Sequence, residues 1–232
     1  MPACVTQEKE RTETEARWDF LLNFNALRLQ DQYIPDTHLI QTRWNQGYPY
    51  NKFLPVMADG KTVVAGCVNV AVAQIMRYHS YPASARGVIS YEWNDQTLKT
   101  VLYRNYNWNN MPAVIDASTP EYLTDEVALL IRDLGIANRT SFDSTGASTF
   151  LYTNALFENF GYSTALSEMG NANFPAFLST IQSEIQAGRP FLITFPGHMA
   201  VADGYSSDNA GQKIHINMGW GGTADDFYFL DQ

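Results

Sequence analysis

The amino-acid sequence predicts an α+β protein, helical through most of its length and closing on an antiparallel sheet. The prediction rests on an apolar run with helical spacing that begins at Cys67, on further helical periods at about 120–134, 148–160 and 174–187, and on four short alternating segments after residue 189. Helices first and strands later is the order of an α+β chain, not of a β-α-β repeat.

The elements follow in order. Residues 1–16 read as a polar lead-in, and "ARWDFLLNFNALRLQDQ" (16–32) sets Trp18, Leu21, Leu22, Asn25 and Leu29 at helical spacing, as an appended helix. "TRWNQGYPYNKFLP" (42–55) alternates Gly and Pro with aromatics, the pattern of an ordered loop with an aromatic anchor. From Cys67 to Tyr78, Val68, Ala71, Val72, Ile75 and Met76 trace a buried stripe that Pro82 stops, and the small residues of the first two turns suit close packing on several sides. "VISYEW" after Gly87 reads as extended and leads into a loop through "YNWNNMP". The helix at 174–187 ends in a Gly at its C-cap. "RPFLITFPG", "HMAVADGYSS", "KIHINMGWGG" and "DFYFLDQ" then read as a meander of antiparallel strands.

Composition narrows the function classes. The 232 residues carry 15 Lys and Arg against 24 Asp and Glu, a formal charge of -9 spread along the chain, which repels nucleic acid and excludes it as a partner. No apolar run reaches the roughly 18 residues of a transmembrane helix, so no membrane span is expected. The opening "MPACVTQEKERTETEAR" is polar where a signal peptide is hydrophobic, so a targeting segment, if the protein has one, is expected to lie outside this sequence. Two cysteines, Cys4 and Cys67, and four histidines without CxxC or HExxH spacing predict neither a disulfide nor a metal site, and no cofactor motif is present.

Cys67 follows a glycine at the start of its helix, where unpaired backbone N–H groups and the positive end of the helix dipole favour a thiolate. A lone cysteine is more often a small core hydrophobe, so its partners decide. A nucleophile needs a base and a group that orients the base. His198 lies 131 residues downstream, within the roughly 130–150 typical of papain-type enzymes, and Asn217 stands 19 residues further on, giving the order Cys, His, Asn. His215, on the same sheet face as Asn217, is a weaker rival base; His79 reads as packing, and His38 has no evident partner. For the oxyanion, the Cys67 N–H and the side-chain amide of Gln46 in "RWNQGYPYN" are candidate donors, although Gln46 on spacing alone reads as an exposed loop amide.

"GCVNVAVAQIMRYHSYP", "WNQGYPYN", "GHMAVADGY" and "HINMGWGG" resemble, in order, the corresponding segments of the streptopain family of bacterial cysteine peptidases, and the likeness runs from about Arg43 to Leu230. The resemblance implies a papain-like two-lobed fold, its helical lobe carrying the Cys67 helix and its sheet lobe carrying His198 and Asn217. It implies Cys67 as nucleophile, His198 as general base and acid, Gln46 in the oxyanion hole, and Asn217 with Trp220 shaping the His198 side. It further implies a secreted zymogen that works without metal or organic cofactor, takes polypeptide substrates with a hydrophobic residue two before the scissile bond, and is held by an inhibitory propeptide.

Residues 1–40 form an N-terminal extension, too short for a full propeptide and corresponding either to its last helix or to a linker; 41–232 form the peptidase domain. Two departures stand out: Met218 replaces the family's usual Trp after the Asn, and "HMAVADG" redistributes large and small side chains at Met199, Ala200 and Ala202. The departure at Met218 keeps open a second class of function, a catalytically weakened homologue that binds peptides or proteins in the same cleft. A third alternative keeps the nucleophile but transfers the acyl group to an amine or hydrolyses a side-chain amide.

Overall fold

A computed structural model describes residues 34–165, 168–170, 174–208 and 211–229. The expected helix at 16–32 lies outside them. Four α-helices are seen among these residues: α1 (Cys67–His79), α2 (Glu121–Ala137), the short α3 (Thr153–Glu158) and α4 (Phe174–Gln186). Strands β1 (Ser84–Ala85), β2 (Val88–Trp93), β3 (Gln96–Val101), β4 (Arg104–Asn105), β5 (Ser141–Phe142) and β6 (Ala147–Ser148) form three small two-stranded ribbons, and β7 (Phe191–Phe195), β8 (His198–Asp208), β9 (Gly211–Asn217) and β10 (Asp226–Tyr228) form one sheet.

The sheet has the order β10-β9-β8-β7 with antiparallel neighbours throughout, the meander expected from alternation. Its period-2 pattern gives it two buried faces. Ala200 and Ala202 of β8 and Ile193 of β7 pack with Ile181 and Ile185 of α4. Val201 and Met199 of β8 and Leu192 of β7 instead pack with Ala71 and Ile75 of α1 and with Ile40. Central strands thus sit between the Cys67 helix and α4, and small residues at 200 and 202 let α4 approach closely.

The larger core surrounds α1 on its other sides, where Val70, Val72, Ala73 and Met76 meet Trp44, Trp108, Leu130, Ile131, Leu134 and Phe160. From Val68 to Gln74 every residue of α1 is buried, so the helix is packed more completely than its apolar stripe required. Ser80, in the left-handed conformation at φ 50°, closes α1 ahead of Pro82, and Gly188 at φ 69° closes α4.

Two local expectations change. The chain after "VISYEW" does not pass directly into a loop: it turns through Asn94 and Asp95, both at positive φ (47° and 58°), and returns as β3 in register with β2. Two such residues in a two-residue hairpin turn match the right-handed twist of the strands. The helix expected at 148–160 contracts to Thr153–Glu158, because Ala147 and Ser148 pair with Ser141 and Phe142 as a ribbon.

Candidate active site

The start of α1 is set by Gly66, whose φ of 87° and ψ of 137° break the chain sharply before Cys67. A Cβ at that position would stand 3.1 Å from the Ala147 Cβ and 3.3 Å from the Thr149 Oγ1, so glycine is required by both conformation and space. No side chain caps the helix, which leaves its first-turn amides directed at whatever occupies the space before Cys67. Cys67 itself is a free, half-buried thiol.

Asn69, wholly buried one turn into α1, fixes this entry. Its Nδ2 donates to the Ala65 carbonyl (2.8 Å) and to Thr140 Oγ1 (2.9 Å), and its Oδ1 accepts from Asn138 Nδ2 (2.9 Å). Gln46 is tied to the same loop, since Ala65 N donates to the Gln46 carbonyl at 2.9 Å. The half-buried Gln46 therefore runs beside the segment that delivers Cys67. Two residues earlier, the Trp44 carbonyl accepts from Gly221 N at 3.0 Å, which joins this segment to the loop after Asn217.

His198 opens β8 directly after the Pro196–Gly197 turn and pairs with Phe195 across the hairpin. Its Nε2 lies 3.0 Å from the Met218 carbonyl oxygen. A carbonyl only accepts, so Nε2 carries the proton, and in the neutral ring Nδ1 is left as the acceptor. The Trp220 ring stands 4.6 Å from the imidazole centroid at 38°, and Trp220 is 41% exposed, forming an outer wall for the ring. Met218 packs its half-buried side chain against the sheet core, and its main-chain carbonyl meets His198.

Asn217 was expected to orient the imidazole with its own amide. Its recorded bonds go elsewhere: Nδ2 donates to the Thr42 carbonyl (2.8 Å), and Oδ1 accepts from Gln74 Nε2 (2.9 Å) and Gly219 N (3.1 Å). The hydrogen-bond partner of His198 is the carbonyl of the next residue. Met218 N in turn donates to Asp225 Oδ1 at 2.7 Å, and burial raises the Asp225 carboxyl pKa, partly opposed by that bond. Asn217, through Gly219 N, thus holds the peptide unit that contains the carbonyl His198 meets, and Asp225, through Met218 N, holds the unit before it.

The remaining histidines fall outside this group. The His215 Nδ1 lies 2.6 Å from Asp203 Oδ1, on a fully buried carboxylate whose Oδ2 accepts from Ile40 N (2.7 Å). His215 is itself buried in the sheet, on this carboxylate and under the His38 ring. His38, without a predicted partner, stacks on His215 at 4.3 Å and bonds the Ile40 carbonyl through Nδ1 (2.8 Å). Nitrogen and oxygen atoms of His38, Asp203 and His215 lie within 4.8 Å of one another, but the hydrogen bonds above already engage Nδ1 of both rings and both carboxylate oxygens. The cluster pins the 34–40 segment to the sheet. His79 packs edge-on against Tyr78 at 4.8 Å.

The sequence reading missed Gln74 and Asp225. Gln74 carries a visible signal, a long polar side chain inside the apolar run "VAVAQIM", seven residues and two turns from Cys67. Asp225 carries none beyond lying in a loop.

Comparison with known proteins gives the family and the fold. Residues 44–228 match the Peptidase C10 family. The thiol protease/hemagglutinin PrtT of Porphyromonas gingivalis is 30% identical over 201 residues, covering 81% of this chain and 23% of that protein. Streptopain of Streptococcus pyogenes serotype M28 is 29% identical over 214 residues, covering 81% of this chain and 53% of that protein. The chain therefore spans about half, or less, of the length of these relatives. Among solved structures, a prointerpain A fragment of Prevotella intermedia superposes with a TM-score of 0.75 at 27% identity, covering 84% of this chain and 65% of that one. Active interpain A cysteine protease of the same organism gives 0.74 at 27%, with 84% and 86% covered. The fold is papain-like and α+β. With its family match spanning most of the sequence, the chain belongs to the Peptidase C10 family.

Proposed function

We propose that this chain is a secreted cysteine endopeptidase that hydrolyses peptide bonds with Cys67 as nucleophile and His198 as base. The observation that carries the reading is the contact between His198 Nε2 and the Met218 carbonyl, which leaves Nδ1 as the ring's proton acceptor on a strand packed against the Cys67 helix. In the reaction Nδ1 takes the Sγ proton and sulfur attacks the substrate carbonyl. The oxyanion is received by the Cys67 N–H and the Gln46 side-chain amide. As the C–N bond breaks, the imidazolium returns its proton to the leaving amine; water, activated by the same nitrogen, then releases the acid and regenerates the thiol.

Asn217 acts through the chain around Met218, and Trp220 covers the imidazole. The Met218 substitution leaves the His198 contact intact because any residue supplies a main-chain carbonyl, which favours an active peptidase over a weakened, peptide-binding relative. Residues 41–232 are assigned to the peptidase domain and 1–40 to an extension from its propeptide or linker; a pro-form known for the relative interpain A supports zymogen control.

Cys67→Ala and His198→Ala should each abolish peptide cleavage, followed by mass spectrometry of the products, while leaving the melting temperature near that of the parent. Gln46→Ala should lower turnover by roughly 10²–10³. A Cys67→Ala variant that still cleaves peptides would overturn the reading.

A further inference from the structure

We infer that Gln74 is a positioning residue for His198, acting through Asn217 and the main chain of residues 217–219; the inference rests on the peptidase reading above. Gln74 is wholly buried, on the helix that carries Cys67. Its Oε1 accepts from Thr42 Oγ1 (2.9 Å) and Trp44 N (3.3 Å), and its Nε2 donates to Asn217 Oδ1 (2.9 Å).

The orientation of both amides is fixed by groups that cannot exchange roles. Trp44 N and Gly219 N only donate, and the Thr42 carbonyl only accepts. Gln74 must therefore turn its nitrogen to Asn217, and Asn217 must turn its oxygen to Gln74. Flipping either amide sets donor against donor or acceptor against acceptor in a buried site, where an unmet polar group is costly.

Distance completes the case. A Cβ on Gly219 would lie 3.2 Å from Val70 Cγ1 and 4.0 Å from Gln74 Nε2, so the chain after Met218 rests directly on α1. Asn217 before it and Gly219 after it are both drawn to this point, and the Met218 carbonyl between them meets His198 Nε2. One side chain thus links the helix of the nucleophile to the acceptor that sets the tautomer of the base. Through Trp44 N it also reaches the segment that leads to Gln46.

Two variants test this. Gln74→Leu keeps the bulk and removes every polar contact, and should lower kcat about tenfold to hundredfold with KM within about twofold, the loss ordinarily seen when a buried hydrogen bond is broken and its partners left unmet. Gln74→Glu keeps an acceptor for Thr42 and Trp44 but can donate to Asn217 only as the neutral acid. Its kcat relative to the parent, measured only where circular dichroism shows the variant fully folded, should fall as pH rises and its carboxyl ionises.

In a Cys67→Ala background, ¹⁵N NMR of the His198 ring supplies a readout independent of turnover. The parent should give the Nε2–H pattern, and Gln74→Glu at neutral pH should move toward a mixture of tautomers. A folded Gln74→Leu with kcat within twofold of the parent overturns the inference. If Gln74→Leu does not fold, a Gln74→Glu variant with an unaltered pH profile and unaltered His198 shifts overturns it. Failure of the peptidase reading is separate: the parent would then lack cleavage activity, or Cys67→Ala would retain it.

Discussion

Replacing Asn69 by alanine should loosen the entry to the Cys67 helix at a cost that its surroundings define. The side chain is wholly buried and makes contacts of 2.8, 2.9 and 2.9 Å with the Ala65 carbonyl, Thr140 Oγ1 and Asn138 Nδ2. A buried hydrogen bond contributes about 0.5–1.5 kcal/mol net, and each buried group left unmet costs about 1–3 kcal/mol. Thr140 retains the Thr149 hydroxyl at 3.1 Å, while Ala65 O and Asn138 Nδ2 lose the partner described here. Two unmet groups, partly relieved by relaxation or an entering water, give a loss of about 3 kcal/mol. For a domain of this size that corresponds to a fall in melting temperature of roughly 6–12 °C. Urea denaturation followed by circular dichroism measures the first figure and a thermal melt the second. Asn69→Asp, which keeps the acceptor for Asn138 but sets a carboxylate oxygen against the Ala65 carbonyl in a buried site, should cost at least as much as the alanine. An alanine variant within about 1 kcal/mol of the parent would show that solvent or neighbouring side chains replace Asn69, and that the entry to α1 is held by other contacts.

Gly66→Ala should destabilise the chain by about 1–3 kcal/mol, the usual cost of a backbone region reserved for glycine, with activity falling as Cys67 shifts; a thermal melt unchanged from the parent would refute the stated need for glycine. Trp220→Ala should barely change the melting temperature, because the ring is 41% exposed, yet lower kcat/KM by roughly 2- to 12-fold, the equivalent of about 0.5–1.5 kcal/mol for an aromatic pair; equal kcat/KM values would remove Trp220 from the site. Asp225→Asn keeps an acceptor for Met218 N and tests a pH dependence. Because burial raises the folded carboxyl pKa, the folded chain holds the proton more tightly than the unfolded chain, so this group's contribution is lost as pH rises from the unfolded to the folded value. The asparagine variant should therefore gain stability relative to the parent across that window and level off above it, in urea denaturation at a series of pH values; a difference independent of pH would contradict the direction of the shift.

The parts legible from sequence are those in which one face of an element is buried and the other is not. The Cys67 helix, the helix from Pro120, the helix ending near Gly188 and the four-stranded meander all announce themselves by apolar spacing. The β2–β3 hairpin is less visible because "QTLKTV" is mostly polar, and its clearest signal is the Asn94–Asp95 turn. Cys67 and His198 are recognisable because each stands at the first residue of its element, after a glycine. Asn217 is recognisable as a residue but not in its contacts. The group that meets His198 is a main-chain carbonyl, and carbonyls have no residue code. Gln74 and Asp225 escape for a related reason: they act on the main chain around that carbonyl, a connection made by folding between residues up to 143 positions apart.

The complete burial of α1 from Val68 to Gln74 bears on how this protein loses its chemistry. This middle stretch of the helix has no solvent-facing side from which to open, so its amide protons should exchange through global opening, among the slowest in the chain. The thiol is then carried by the most durable cooperative unit of the fold. Under the proposed function, heat inactivation should follow the unfolding rate of the whole domain, with no earlier step in which Cys67 alone drifts out of place.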